Sequence, residues 1–159
     1  MIDRRTLLTG GGATVAGALL LGRSTEAVAA RFPVTKTPAE WRRQLGPQRF
    51  HILREAGTER PYSSPLNKEK RRGRYLCAGC ANPLFSSATK FESGTGWPSF
   101  YRALPKAVVT REDRSLLMVR TEVLCARCGG HLGHVFRDGP KPTGLRFCMN
   151  GLALRFQPV

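Results

Sequence analysis

Ala107 to Cys125 reads AVVTREDRSLLMVRTEVLC. Four polar residues, Glu112–Ser115, split the stretch, so it predicts two strands joined by a turn. Val108, Leu116, Met118, Val119, Val123 and Leu124 supply its β-type apolar positions. On its N-terminal side, GRYLCAGC and NPLFSS read as short extended pieces joined by a Gly-containing turn. On its C-terminal side, HVFRDGPKPTG is a strand end and a turn-rich loop, and LRFCMNG and LALRFQPV are two further strands. The fold class is mainly β: one mostly antiparallel domain with one continuous core. Two short helices precede it. Thr37 caps the first, with Pro38 at its first position and Glu40 completing a capping box, and Gly46-Pro47 ends it. QRFHILREAG forms the second, with Phe50, Leu53 and either Ile52 or Ala56 on its apolar side and Gly57 as its stop. Pro61–Asn67 has the composition of a loop.

Two Cys-x-x-Cys pairs frame this β region: Cys77 and Cys80, and Cys125 and Cys128. Two intervening residues let both sulfurs of a pair face one ion from a single turn, with Gly79 and Gly129 easing the backbone. Four thiolates from two such turns match a tetrahedral structural zinc site. The pairs stand 44 residues apart, so an ion would staple distant parts of the sheet. Two disulfides, or a redox pair, are the competing readings. Neither pair precedes the clear helix that a redox pair needs.

The fifth cysteine, Cys148, is left over. Arg146 and Asn150 stand two residues to either side, and on a strand such positions share a face. A nearby cation favours the nucleophilic thiolate, whereas the bland reading is an inert buried thiol. His131 and His134 follow Cys128 closely, with Asp138 beyond. A histidine can protonate a departing oxygen and an aspartate can orient its ring; a second metal site or surface histidines are the alternatives. Trp97 sits between Gly96 and Pro98, where an indole makes a flat wall for an S-methyl group or, alternatively, anchors the loop in the core.

GTERPY, CAGC, TKFESGTGWPSF, CARCGGHLGHVFRDGP and GLRFCMNG resemble, in wording and order, the methionine sulfoxide reductase B family, across Thr37 to Val159. The resemblance implies two antiparallel sheets with short N-terminal helices, and reduction of the R epimer of methionine sulfoxide in peptides and proteins. By resemblance Cys148 is the nucleophile, and Cys77, Cys80, Cys125 and Cys128 hold one structural zinc. Trp97 receives the substrate methyl group, with Phe147 beside it as a substrate-binding residue. His131, His134, Asp138, Arg146 and Asn150 fall on active-site positions, with His134 the expected proton donor. Many members carry a resolving cysteine where this chain has Thr95, and others carry Thr. With four thiols on zinc, Cys148 then depends on an external thiol or a thioredoxin-like protein for its reduction.

The net charge is +15. This suggests a polyanionic partner or, more blandly, basic side chains spread over a solvated surface. Residues 1–29 read as a twin-arginine export signal: the Arg4-Arg5 pair, an uncharged stretch from Thr6 to Gly22, and the small-x-small run Ala27-Val28-Ala29. An uncleaved anchor is the other reading of that stretch. Its removal takes three basic and two acidic residues and leaves about +14. Residues 30–36 form an arm and residues 37–159 the catalytic domain. The expectation is therefore a periplasmic monomer that acts on oxidised proteins and binds no nucleic acid, with weak association at anionic envelope surfaces. The rival class is a zinc-stabilised basic β binding module, which has no use for the Arg-x-Cys-x-Asn set. A thiol peroxidase would leave the Trp97 loop without a reason.

Overall fold

The computed structural model describes residues 32–115 and 118–159. The expected leader at residues 1–29, the first two residues of the arm and Leu116 lie outside the described residues. Among the described residues no helix is long and apolar enough to cross a membrane.

The helical segment α1 runs Pro38–Glu55 and carries the expected capping box between Thr37 and Glu40. It bends at Gly46, whose φ of 69° is not helical, just before Pro47. The two predicted helices are thus one run with a joint at the predicted break. Its end falls one residue early: Ala56, at φ 53°, is the left-handed cap, rather than Gly57. The buried side holds Trp41, Leu45, Phe50, Ile52 and Leu53; Ala56 is exposed.

Among the described residues nine strands follow, in two antiparallel sheets. They are β1 Gly73–Cys77, β2 Pro83–Ser86, β3 Lys90–Phe91, β4 Ser99–Phe100, β5 Val108–Asp113, β6 Arg120–Cys125, β7 His131–Phe136, β8 Arg146–Met149 and β9 Leu154–Pro158. The smaller sheet runs β2-β1-β9 and the larger β3-β4-β8-β7-β6-β5. Between them Tyr75, Leu84, Phe85, Phe100, Leu132, Met149 and Leu154 are almost completely buried. The Phe85 and Phe100 rings stack with centroids 4.4 Å apart, and Tyr75 meets Phe100 edge-on at 4.8 Å, arrangements that suit aromatic quadrupoles.

The hairpin β5–β6 forms, but its turn is displaced: β5 runs on through Glu112 and Asp113, which the sequence assigns to the turn, and β6 begins only at Arg120. Met118 and Val119 are 51% and 72% exposed and precede β6. Their apolar character does not serve the core. The part of the arm from Phe32 is docked: Val34 donates its N–H to the Arg127 carbonyl at 2.9 Å, and the Phe32 ring lies against Gly129.

Candidate active site

Cys77 closes β1 and Cys125 closes β6, so each Cys-x-x-Cys turn hangs from a strand of a different sheet. The turns have the same backbone solution. Ala81 and Gly129 donate to the carbonyls of Cys77 and Cys125, each at 2.9 Å, and both adopt positive φ, 57° and 66°. In the first turn the left-handed residue is therefore Ala81, not Gly79. Gly79 lies beside the Trp41 ring and the Cys77 sulfur, with room for a Cβ in ordinary contact. From α1, Gln44 donates to the Gly79 carbonyl at 2.6 Å and Arg54 to the Cys128 carbonyl at 2.9 Å. The helix thereby braces both turns.

The four sulfurs lie within 4.8 Å of one another. Cys77 to Cys128 is 3.7 Å and Cys80 to Cys125 is 3.5 Å, far beyond the ~2 Å of a disulfide. A tetrahedron of ~2.3 Å metal–sulfur bonds has edges of about 3.8 Å, so the set can hold a metal ion. Crowding polarises the group. Hydrogen bonding, first with Cys125, pushes the Cys77 thiol up, while hydrogen bonds led by that from Cys128 push Cys125 down. A dication would favour the thiolate at all four.

Cys148 lies in β8, between β4 and β7. Its cross-strand neighbours are Ser99 on one side and His134 on the other. The strand alternates: Arg146 and Cys148 are partly exposed, while Phe147 and Met149 are buried. Arg146 and Cys148 thus share a face, as the spacing requires. Phe147 points the other way and packs on Phe85, ring centroids 5.7 Å apart. Strand alternation sends it into the core, which removes it from the expected substrate wall.

Asn150 also leaves the face, because the strand ends before it and a 3-10 turn, Gly151–Ala153, begins. Its side chain is buried. The Oδ1 atom accepts the Glu59 N–H at 3.0 Å, and Nδ2 donates to the Leu132 carbonyl at 3.3 Å. Glu59 in turn spans Gly151 N–H at 2.6 Å and Leu152 N–H at 2.9 Å with its carboxylate. Its carbonyl accepts the indole N–H of Trp97 at 3.2 Å. Trp97 is partly exposed and held by that bond, while Pro98 beside it is fully buried. Asn150 and Glu59 therefore lock the loop that presents the indole. The only hint of Glu59 in the sequence is its place in GTERPY.

Thr95 Oγ1 lies 3.7 Å from Cys148 Sγ. It continues to Ser93 at 2.8 Å, and Ser93 to Ser99 at 2.7 Å. A hydroxyl, tied to two others, thus borders the thiol where a second thiol would be needed for an internal disulfide.

Both histidines come to the face, with ring centroids 5.5 Å apart, and each meets a carboxylate. His131, fully buried, contacts Glu122 through Nδ1 at 2.6 Å; its Nε2 has no partner among the described residues. Glu122 also takes a bond from Arg111. Burial pushes the Glu122 carboxyl up, but the bonds from His131 and Arg111 outweigh it and hold it low. His134 contacts Asp113 through Nε2 at 2.8 Å. Asp138, the expected orienter, does not reach either ring. It clamps Arg146 with two bonds of 2.9 and 2.8 Å, and the guanidinium lies over the Phe136 ring at 4.3 Å. No sequence spacing points to Asp113 or Glu122, since each reaches its histidine only through strand pairing.

Residues 45–158 match the family profile described as "SelR domain". The chain is 55% identical over 127 residues to the peptide methionine sulfoxide reductase MsrB of Agrobacterium fabrum, covering 79% of this chain and 94% of that one. It is 51% identical to that of Leptospira interrogans, over 79% and 97% of the two chains. Against that of Thiobacillus denitrificans it is 56% identical, over 77% and 94%.

Proposed function

The chain belongs to the SelR-domain, methionine sulfoxide reductase B family, and from that premise we infer that it is a peptide-methionine (R)-S-oxide reductase. The observation that carries the residue-level reading is the placement of Cys148, partly exposed, directly across from a carboxylate-bonded histidine. The Cys148 thiolate attacks the sulfoxide sulfur, a proton from His134 goes to the departing oxygen, and the oxygen passes to the cysteine. Methionine leaves and Cys148 is left as a sulfenic acid, so that a thiol and a sulfoxide become a sulfenic acid and a thioether. Arg146, held in its fork by Asp138, supplies positive charge on the face of the thiol. Trp97 offers a flat apolar wall for the substrate methyl group. His131, buried against His134 and bonded to Glu122, backs the donor rather than opening to the substrate.

Recycling proceeds from outside. One thiol condenses with the sulfenic acid to a mixed disulfide and releases water, and a second thiol frees Cys148. Thr95 cannot replace the first of these. The reductant is a small thiol or a thioredoxin-like protein. The four-cysteine set holds zinc, coordinated by Cys77, Cys80, Cys125 and Cys128, which ties the two sheets and takes no part in the chemistry. The first 29 residues support export to the periplasm by a twin-arginine route.

Incubation with a racemic methionine sulfoxide peptide and dithiothreitol, resolved by chiral chromatography, tests the reaction. Loss of the R epimer alone, abolished in Cys148→Ser, is expected; full activity in that variant would refute the assignment. Metal analysis should find one zinc per chain, and less than about half an equivalent in fresh protein counts against the site. Arg4→Lys/Arg5→Lys, expressed with its own leader, should remain unprocessed in the cytoplasm.

A further inference from the structure

Asp113 is the last residue of β5, at the root of the β5–β6 hairpin. Its Oδ2 meets His134 Nε2 at 2.8 Å and Arg120 Nη2 at 2.8 Å, and its Oδ1 accepts the Ser115 N–H at 2.9 Å. The Ser115 backbone bond, followed by that from His134, holds the carboxyl far below the usual carboxylate range. At neutral pH it is an anion and can only accept. The contact then requires a proton on Nε2 of His134, in the neutral ring as well as the charged one. Nδ1 is left as the nitrogen that gains and loses a proton.

The topology gives that nitrogen a direction. Glu122 pairs with His134 and Arg120 pairs with Asp113, so Nε2 reaches across β6 to β5. Cys148 lies on the opposite side, on β8. The two nitrogens of an imidazole point widely apart, so a ring anchored toward β5 through Nε2 turns Nδ1 back toward β8. We propose that Asp113, steadied by Arg120, is the positioning residue that fixes His134 as the Nε2–H tautomer, so that Nδ1 is the atom that delivers the proton at Cys148. The proposal rests on the reductase reading above and identifies which atom serves it.

The groups around His134 set the sign of the test. Asp113 faces it from β5, Arg120 and Glu122 from β6, His131 and Phe136 from β7, and Cys148 from β8. Burial lowers the imidazole most; the Asp113 bond raises it, and Arg120 and His131 lower it, for a net depression. Removing the Asp113 charge therefore depresses it further. The protonated donor then disappears at lower pH.

The full chain, labelled with 15N at histidine, is titrated by NMR, with His134 assigned from His134→Gln. The wild type should show the Nε2–H tautomer in its neutral form. In Asp113→Asn the titration midpoint should fall, on the order of 1 pH unit, and the alkaline limb of single-turnover sulfoxide reduction should move down with it. Asp113→Glu should restore both in part. An Nδ1–H tautomer in the wild type, which needs no variant to observe, overturns the proposal. So does an unchanged midpoint in a folded Asp113→Asn protein. These signals are read on the resting protein, whereas absence of turnover by the wild type would instead reject the reaction assigned above.

Discussion

His134 and Cys148 are directly paired across β7 and β8, next to the pair Gly133 and Met149 on the same two strands. Gly133, at φ 152°, is what allows the strands to approach. A Cβ at that position would stand 2.1 Å from the Cys148 carbonyl oxygen and 3.0 Å from Met149 Cα. Backbone atoms cannot swing aside as a flexible side chain can. Gly133→Ala should push β8 away from β7, cost about 1–3 kcal/mol in denaturant unfolding, and slow single-turnover reduction. Alkylation of Cys148 by iodoacetamide should still proceed. A variant with unchanged rate would show that this register does not set the chemistry.

Glu122 gives the protein an acid sensitivity of definite sign. Its carboxyl is held below its unfolded value, so its ionised form favours the folded state. That contribution is complete above the ordinary carboxylate range and is lost as pH falls through the lowered folded value. Thermal midpoints should therefore drop as pH falls below about 5. Glu122→Gln should be less stable at pH 7 and show a shallower drop. A parallel pair of curves would exclude Glu122 as a source of the acid limb.

The Trp97 loop is fixed through groups that never touch the thiol. Glu59→Ala leaves the N–H groups of Gly151 and Leu152 without their carboxylate, at a cost of about 1–3 kcal/mol for each group left buried. The indole also depends on the Glu59 carbonyl. With the loop loosened, KM for a sulfoxide peptide should rise more than kcat falls. Asn150→Ala should act in the same direction by releasing the Glu59 N–H. A loss confined to kcat would instead place Asn150 at the reacting atoms.

Thr95 is close enough to Cys148 for a thiol substituted there to close on it. In Thr95→Cys, one turnover without reductant should consume two free thiols. Mass spectrometry should then find a disulfide joining the introduced thiol to Cys148. The parent should lose one thiol and gain one oxygen at Cys148. Recovery of the variant should depend on a dithiol reductant more than on a monothiol. A parent protein that forms an internal disulfide would mean that a metal-pair cysteine resolves the sulfenic acid.

Residues close together in the chain are legible from sequence, and residues joined only by folding are not. Capping at Thr37 and Glu40, the paired turns at Cys77–Cys80 and Cys125–Cys128, and the shared face of Arg146 and Cys148 all follow from short spacings. Strand alternation, the same rule, places Phe147 in the core, against the role that resemblance gives it. Asp138 stands four residues from His134 and invites the role of orienter, but its carboxylate fits the guanidinium of Arg146. Asp113, 21 residues before His134, reaches it because β5, β6 and β7 lie side by side. Glu59 meets Gly151 across 92 positions, a separation that no local pattern encodes. Met118 and Val119 have β-forming chemistry yet sit just before β6 in solvent, since apolar character does not reveal where a hairpin turns.

Cys77 belongs to the small sheet and Cys125 to the large one, and the aromatic core lies between the same two sheets. The architecture therefore offers two fasteners with different vulnerabilities. One yields to heat and denaturant; the other, on the metal site proposed above, would yield to chelation and to oxidants that attack sulfur. On the reductase reading proposed above, the reacting thiol lies on the partly exposed face of the large sheet, while three of the four clustered thiols, Cys77, Cys125 and Cys128, are buried. Damage that outpaces repair would then appear first as a spent Cys148 and only later as parted sheets.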